Sequence, residues 1–307
     1  MYQKNANGAL KPRITIGVGD VPGLSMGFDT GSSGLHVFAD ASLTRPGSGV
    51  QCTDSATTVT YGNPARIILS GVICYARLHL GTYTTPQAVP IAYLTKASCP
   101  TKMPKCHLPD LTDTTQMGGY GVLGVGIIGS MSGNGHVPNP LITLPAPYGT
   151  TYSVRLTPNG GELILGSREP SNAVRFQLSR DTLPGARWSL GQTCLFVNTR
   201  PIGTCIYISF DTGNPSPWLH NATNPAIPES LGVVQPGTRI GFAPTGDTTE
   251  AIAVVAGTQP NRNLIKDVQI AGALPLTNVS INVFFGNIVT YDNRAGTISF
   301  APALGSQ

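Results

Sequence analysis

The sequence predicts an all-β protein built as two pseudo-symmetric lobes. Short apolar stretches alternate with turn residues along the whole chain, where Gly (37) and Pro (26) are frequent. The tetrapeptide Phe28-Asp29-Thr30-Gly31 recurs as Phe210-Asp211-Thr212-Gly213, 182 residues later. Each copy follows an apolar, strand-like run and stands near the start of one half of the 307 residues. A short repeat placed in this way marks two similar units.

The elements follow from hydrophobic periodicity. Ile14, Ile16 and Val18 alternate with other residues, Gly19-Asp20-Val21-Pro22-Gly23 supplies a turn, and Leu24, Met26 and Phe28 alternate again. This reads as a hairpin that delivers Asp29 at a strand end. Val174, Phe176 and Leu178 show the same period of two, as do Val279, Ile281 and Val283. The best helical candidate is 249–256, TEAIAVVA. The lobes are expected to divide near 150–160, around Thr157-Pro158-Asn159-Gly160-Gly161. That gives an N-terminal lobe, 1–155, with Asp29, and a C-terminal lobe, 156–307, with Asp211.

Composition excludes several function classes. No uninterrupted apolar run is long enough to cross a bilayer, so no transmembrane segment is expected. The net charge is +4, but the basic residues are scattered, which argues against nucleic acid as a partner. The first residues, MYQKNANGALKPR, lack the apolar region of a signal peptide. Only 15 carboxylates serve the chain, and acid tolerance is expected from their scarcity. The six cysteines pair most simply as Cys52–Cys74, Cys99–Cys106 and Cys194–Cys205, although other connectivities stay open to sequence alone. Bridges imply an oxidising compartment, hence a secreted or cell-surface protein. Zinc at Cys99, Cys106 and His107 is the weaker alternative, since no short Cys-x-x-Cys spacing occurs.

Two Asp-Thr-Gly loops suggest a specific chemistry. Two like charges at about 3 Å cannot both ionise, so a carboxyl pair shares one proton and supplies both a base and an acid. Asp29 and Asp211 are the candidate pair. Gly31 and Gly213 let the backbone bend tightly, Thr30 and Thr212 can brace the loops, and the Ser32 hydroxyl can donate to Asp29. A single such turn would be an ordinary turn of a β protein. Two copies in strand context favour the carboxyl pair.

The segment Phe28-Asp29-Thr30-Gly31-Ser32-Ser33-Gly34-Leu35 resembles the first catalytic loop of the pepsin-like aspartic peptidases, and further matches follow in order along the chain. Val59-Thr60-Tyr61-Gly62 with Leu69-Ser70-Gly71 is similar to the family's flap hairpin. Gly121-Val122-Leu123-Gly124 resembles the segment packed behind the first catalytic loop, and Gly161-Glu162-Leu163-Ile164-Leu165-Gly166 the strand that opens the second lobe. Trp188 falls where the family often has an aromatic residue. Thr290-Tyr291-Asp292 through Ile298-Ser299-Phe300-Ala301-Pro302 resembles the closing strands. The resemblance implies a bilobal pepsin-like fold with a substrate cleft between the lobes. It implies an aspartic endopeptidase with an Asp29/Asp211 dyad, supported by Thr30, Gly31, Ser32, Thr212, Gly213 and Asn214. Tyr61 and Gly62 would form the flap tip. An extended peptide would be the substrate, bound largely through main-chain hydrogen bonds to a monomer without cofactor or metal.

Several positions depart from the family pattern. His36 stands where a tryptophan usually bonds the flap tyrosine, and its ordinary pKa of about 6.5 would make flap closure pH-dependent. Asn214 replaces a Ser or Thr, with a side-chain amide that can still donate to Asp211. Pro215 and Pro217 stiffen that loop. The second apolar-apolar-Gly segment has two candidates: Val279-Ser280-Ile281 lacks the glycine, and Phe284-Phe285-Gly286 sits later than the family pattern places it. The competing function is a binding, inhibitor or cell-surface module on the same scaffold, because fold does not fix function. His79, His107, His136 and His220 share no spacing and read as surface or loop residues. Asn221-Ala222-Thr223 and Asn278-Val279-Ser280 fit the N-glycosylation pattern.

Overall fold

The computed structural model of the chain describes residues 2–4, 10–61, 67–101, 106, 108–114, 119–128, 137–181, 188–220, 226–230, 232–258, 266–268 and 276–303. These residues are nearly all in strands and turns, with one short α-helix, Ala41–Thr44. Among them no helix is long and apolar enough to cross a membrane. They cluster into two compact units, one of residues 13–149 and the other of residues 1–12 and 150–182 with 187–307. Residues 2–4 and 10–12 thus join the unit that contains Asp211. Tyr2 anchors them there by donating its hydroxyl to the Thr157 and Gly160 carbonyls, at 2.6 and 2.9 Å.

In the unit of residues 13–149, the predicted hairpin forms. Leu10–Val18 and Val21–Asp29 run antiparallel, with Ile14 opposite Met26 and Ile16 opposite Leu24. Alternation buries Leu24, Met26 and Phe28 on one face, as a strand with one face on a core requires. Val21–Asp29 then pairs in parallel with Gly121–Val125, which pairs antiparallel with Ser33–Phe38. Ser33–Phe38 in turn lies parallel to Val89–Ser98. Next to it are Ile67–Ala76 and Gln51–Tyr61, an antiparallel pair in which Tyr61 faces Ile67. Their core cluster includes Phe38, Val59, Leu69, Ile73 and Leu94, with Tyr61 packed on its edge.

The other unit repeats this arrangement. Arg200–Ser209 pairs in parallel with Leu276–Asn278, which pairs antiparallel with Trp218–His220, itself parallel to Lys266–Val268. Trp218 lies 182 residues after His36, the spacing of the two aspartates. It faces Asn278 as His36 faces Val122. This unit also holds a five-stranded sheet in the order Gly160–Leu165, Thr151–Thr157, Asn287–Asp292, Thr297–Pro302 and Val174–Gln177. Trp188 is buried on it, donating its indole N–H to the Asn293 carbonyl at 2.7 Å, with the Arg180 guanidinium 4.5 Å over the ring.

Two periodicity readings are corrected. The segment 249–256 contains no helix. Ile252–Val255 is a strand paired with Arg239–Pro244. Ile252 and Val254 are buried and their neighbours less so, a period of two that β-branched residues favour. Val279, Ile281 and Val283 form no strand either. The strand ends at Asn278, Ser280 caps the chain with its hydroxyl accepting from the Asn282 N–H, and a 3-10 turn follows over Ile281–Phe284.

The three disulfides form as paired in the sequence reading: Cys52–Cys74, Cys99–Cys106 and Cys194–Cys205. The first and third join residues directly opposite on adjacent antiparallel strands. Cys99 and Cys106 close a seven-residue separation in the loop after Val89–Ser98.

Candidate active site

Asp29 ends its strand half-buried, with buried neighbours Phe28 and Thr30 that fix the backbone. Its Oδ1 accepts the Gly31 backbone N–H at 2.8 Å and its Oδ2 accepts the Ser32 hydroxyl at 2.6 Å. Gly121–Val125 closes the loop from behind: Gly124 lies opposite both Asp29 and Gly34, and the Gly126 N–H donates to the Ser32 carbonyl at 2.8 Å. A Cβ on Gly124 would come within 2.8 Å of both the Ser32 hydroxyl and the Gly34 carbonyl. Gly34 has φ 98°, and a Cβ there would meet the Val137 carbonyl at 2.3 Å, so this turn requires glycine. Gly124→Ala is therefore expected to cost about 1–3 kcal/mol by overpacking. Thermal unfolding of the variant checks this, and an unchanged midpoint would mean that the loop yields without strain.

Asp211 is held in a parallel way in the other unit. Its Oδ1 accepts the Gly213 N–H at 2.7 Å and the Asn214 backbone N–H at 3.1 Å. Its Oδ2 accepts the side-chain amide of Asn278 at 2.7 Å. The Asn214 side chain, expected to donate here, instead accepts the Ser216 N–H at 3.3 Å in a local turn. Asn278, which the sequence marks only as fitting the N-glycosylation pattern, is thus a side-chain donor to Asp211. No local motif marks it, since it is 67 residues away and reaches the loop only through the parallel strand pair. Thr30 and Thr212 are buried beneath their loops.

His36 and Tyr61 come together. His36 Nδ1 and the Tyr61 hydroxyl share a hydrogen bond of 2.5 Å, with the rings edge to face at 5.9 Å. Burial, joined by the negative charge of nearby Asp29, raises the Tyr61 pKa well above its usual value. Gly62 and the rest of 62–66 lie outside the described residues, as do His107, His136 and 221–225. His79 is structural, bonded to the Thr84 hydroxyl and the Gly19 carbonyl. Among the described residues no cluster of His, Cys, Asp and Glu is arranged to hold a metal.

No family model matches the sequence, and no curated protein matches it. Among solved structures, the aspartic proteinase from Irpex lacteus matches with a TM-score of 0.66 at 18% identity, over 95% of this chain and 94% of that one. The chain has the fold of an aspartic proteinase.

Within this aspartic proteinase fold, His36 does not titrate near its ordinary pKa. The ring is 3% exposed, and burial pushes its pKa down to about 4 against the opposing pull of Asp29. Below about pH 6.5 the unfolded chain binds a proton that the folded one refuses until about pH 4. The resulting stability is fully present above about pH 6.5 and is lost as pH falls toward 4, a change of roughly 3 kcal/mol. This opposes the acid tolerance expected from few carboxylates. Urea unfolding at about pH 7 and about pH 4.5 tests it. The wild type should lose more stability between the two than His36→Leu, and equal losses would refute the assignment.

Proposed function

We propose that the protein is a secreted or cell-surface aspartic endopeptidase in which Asp29 and Asp211 act as one proton-sharing pair. The observation that carries this reading is the matched grip on the two aspartates of a repeated Asp-Thr-Gly loop. Each Oδ1 accepts the N–H two residues ahead, and each Oδ2 accepts a side-chain donor. Such bonds orient a carboxyl group and favour its ionised form, while sharing a proton keeps one of the pair neutral. The ionised member takes a proton from water as its oxygen attacks the scissile carbonyl. The neutral member gives its proton to the carbonyl oxygen. When the tetrahedral species collapses, the leaving nitrogen receives a proton from the pair and the C–N bond breaks.

Tyr61 and Gly62 would cover the substrate, with His36 holding the tyrosine hydroxyl in place. The substrate class is an extended peptide or protein segment, bound as an added strand by main-chain hydrogen bonds. The protein would work as a monomer without a cofactor. Incubation of the purified protein with a peptide library between about pH 3 and 7 tests the reading, since general acid–base pairs give bell-shaped profiles. Cleavage within that range is expected. Its absence throughout would favour a binding module on the same scaffold.

A further inference from the structure

Among the described residues, three other than glycine have positive φ: Asn198, Thr199 and Ser280. The first two form an exposed turn between Gln192–Val197 and Arg200–Ser209. Ser280 differs from them. It is fully buried, and its φ of 65° and ψ of −178° lie in a region essentially reserved for glycine. The cause is a short path. In the unit of residues 13–149, Val122 pairs with Gly27, and four residues later the Gly126 N–H closes the loop on the Ser32 carbonyl. In the other unit Asn278 pairs with Ser209, and the Ile281 N–H closes on the Asn214 carbonyl after only three residues. A sharper turn at Ser280 makes up for the missing residue.

Local bonds hold Ser280 in this conformation. Its backbone N–H donates to Asn278 Oδ1 at 3.0 Å. Its hydroxyl accepts the Asn282 backbone N–H at 3.3 Å and the Asn282 side-chain amide at 3.2 Å. The first of these bonds has a consequence at the site. With a donor on Asn278 Oδ1, the NH₂ end of that amide is turned toward Asp211 Oδ2, 2.7 Å away. In the other unit the corresponding donor is the local Ser32 hydroxyl, and Val122 stands in the place of Asn278.

We propose, resting on the peptidase reading above, that Asn278 and Ser280 are a pair of positioning residues. The strained turn at Ser280 aims the Asn278 amide, and the amide holds the Asp211 carboxyl group in the orientation the reaction needs. Strain of this kind persists only where surrounding bonds over-determine it. The Ser280 hydroxyl supplies two of those bonds. Alanine keeps the Cβ and loses the hydroxyl, so the turn relaxes and the Asn278 amide is released. Glycine also loses the hydroxyl but has no Cβ to strain, so the turn survives.

The test uses the full chain labelled with ¹⁵N-asparagine. In the wild type the Asn278 side-chain amide should exchange its protons with solvent at least about tenfold more slowly than that of exposed Asn159. Ser280→Ala should speed this exchange about tenfold and lower kcat about tenfold, with KM little altered. Ser280→Gly should restore most of both. It should also melt about 2–6 °C above Ser280→Ala, the reverse of the order at an ordinary position. Wild-type exchange and kcat in Ser280→Ala, or an alanine variant that melts as high as the glycine one, would overturn the proposal. If Ser280→Ala does not fold, exchange at Asn278 as fast as at Asn159, in the wild type or in Ser280→Gly, would overturn it equally. A wild type that cleaves nothing at any pH would sink the peptidase reading instead, and exchange and melting would still decide the role of the turn.

Discussion

Asp29→Asn and Asp211→Asn are each expected to lower kcat by about 10²–10⁴-fold, the scale of a lost general acid or base. The double variant should lose little more than either single one, because groups that act as a unit are not additive. The two should differ in stability. In Asp29→Asn the new NH₂ can face Ser32, whose hydroxyl turns to accept it. In Asp211→Asn the new NH₂ faces the NH₂ of Asn278, which Ser280 holds in place, and Oδ1 is already committed to two N–H donors. Putting one donor against another in place of a charge-assisted bond should cost about 1–3 kcal/mol. Steady-state kinetics with chemical denaturation measure both effects. Residual activity near wild type in either variant would remove the pair from the mechanism.

Phe300→Ala is expected to destabilise the unit that contains Asp211 by about 3–5 kcal/mol. Phe300 is 2% exposed, and its ring lies 4.7 Å from Phe210, 5.7 Å from Phe176 and 6.5 Å from Phe284. Phe176 also meets Phe210 edge to face at 5.1 Å. Removing the shared ring leaves a cavity under Phe210, the residue that fixes where Asp211 begins its loop. Denaturant unfolding should show the loss, and a cost below about 1 kcal/mol would mean that the remaining rings collapse into the space.

The parts of this structure legible from sequence are those written locally. The alternation of Ile14, Ile16 and Val18 with Leu24, Met26 and Phe28 specifies a hairpin because burial on one face has a period of two. Two Asp-Thr-Gly repeats located the carboxylates, and cysteines close in sequence found their partners. Periodicity misled where the tertiary setting overrode it. TEAIAVVA is rich in helix-forming alanine, yet its β-branched residues pack on an existing strand. Ser280, at φ 65°, turns the chain out of the strand that Val279 and Ile281 suggested. The role of Asn278 was invisible because it depends on a strand arriving from far along the chain. Residues 2–4 join the Asp211 unit for the same reason, through Tyr2 and its bond to Thr157, 155 residues on.

Calorimetric binding of a statine-type inhibitor tests the central claim most directly, because its hydroxyl mimics the tetrahedral species of the proposed mechanism. One inhibitor per chain should bind to the wild type, and binding should be lost in both Asp29→Asn and Asp211→Asn. Binding that persists undiminished in either variant would contradict a site made by the two aspartates acting together.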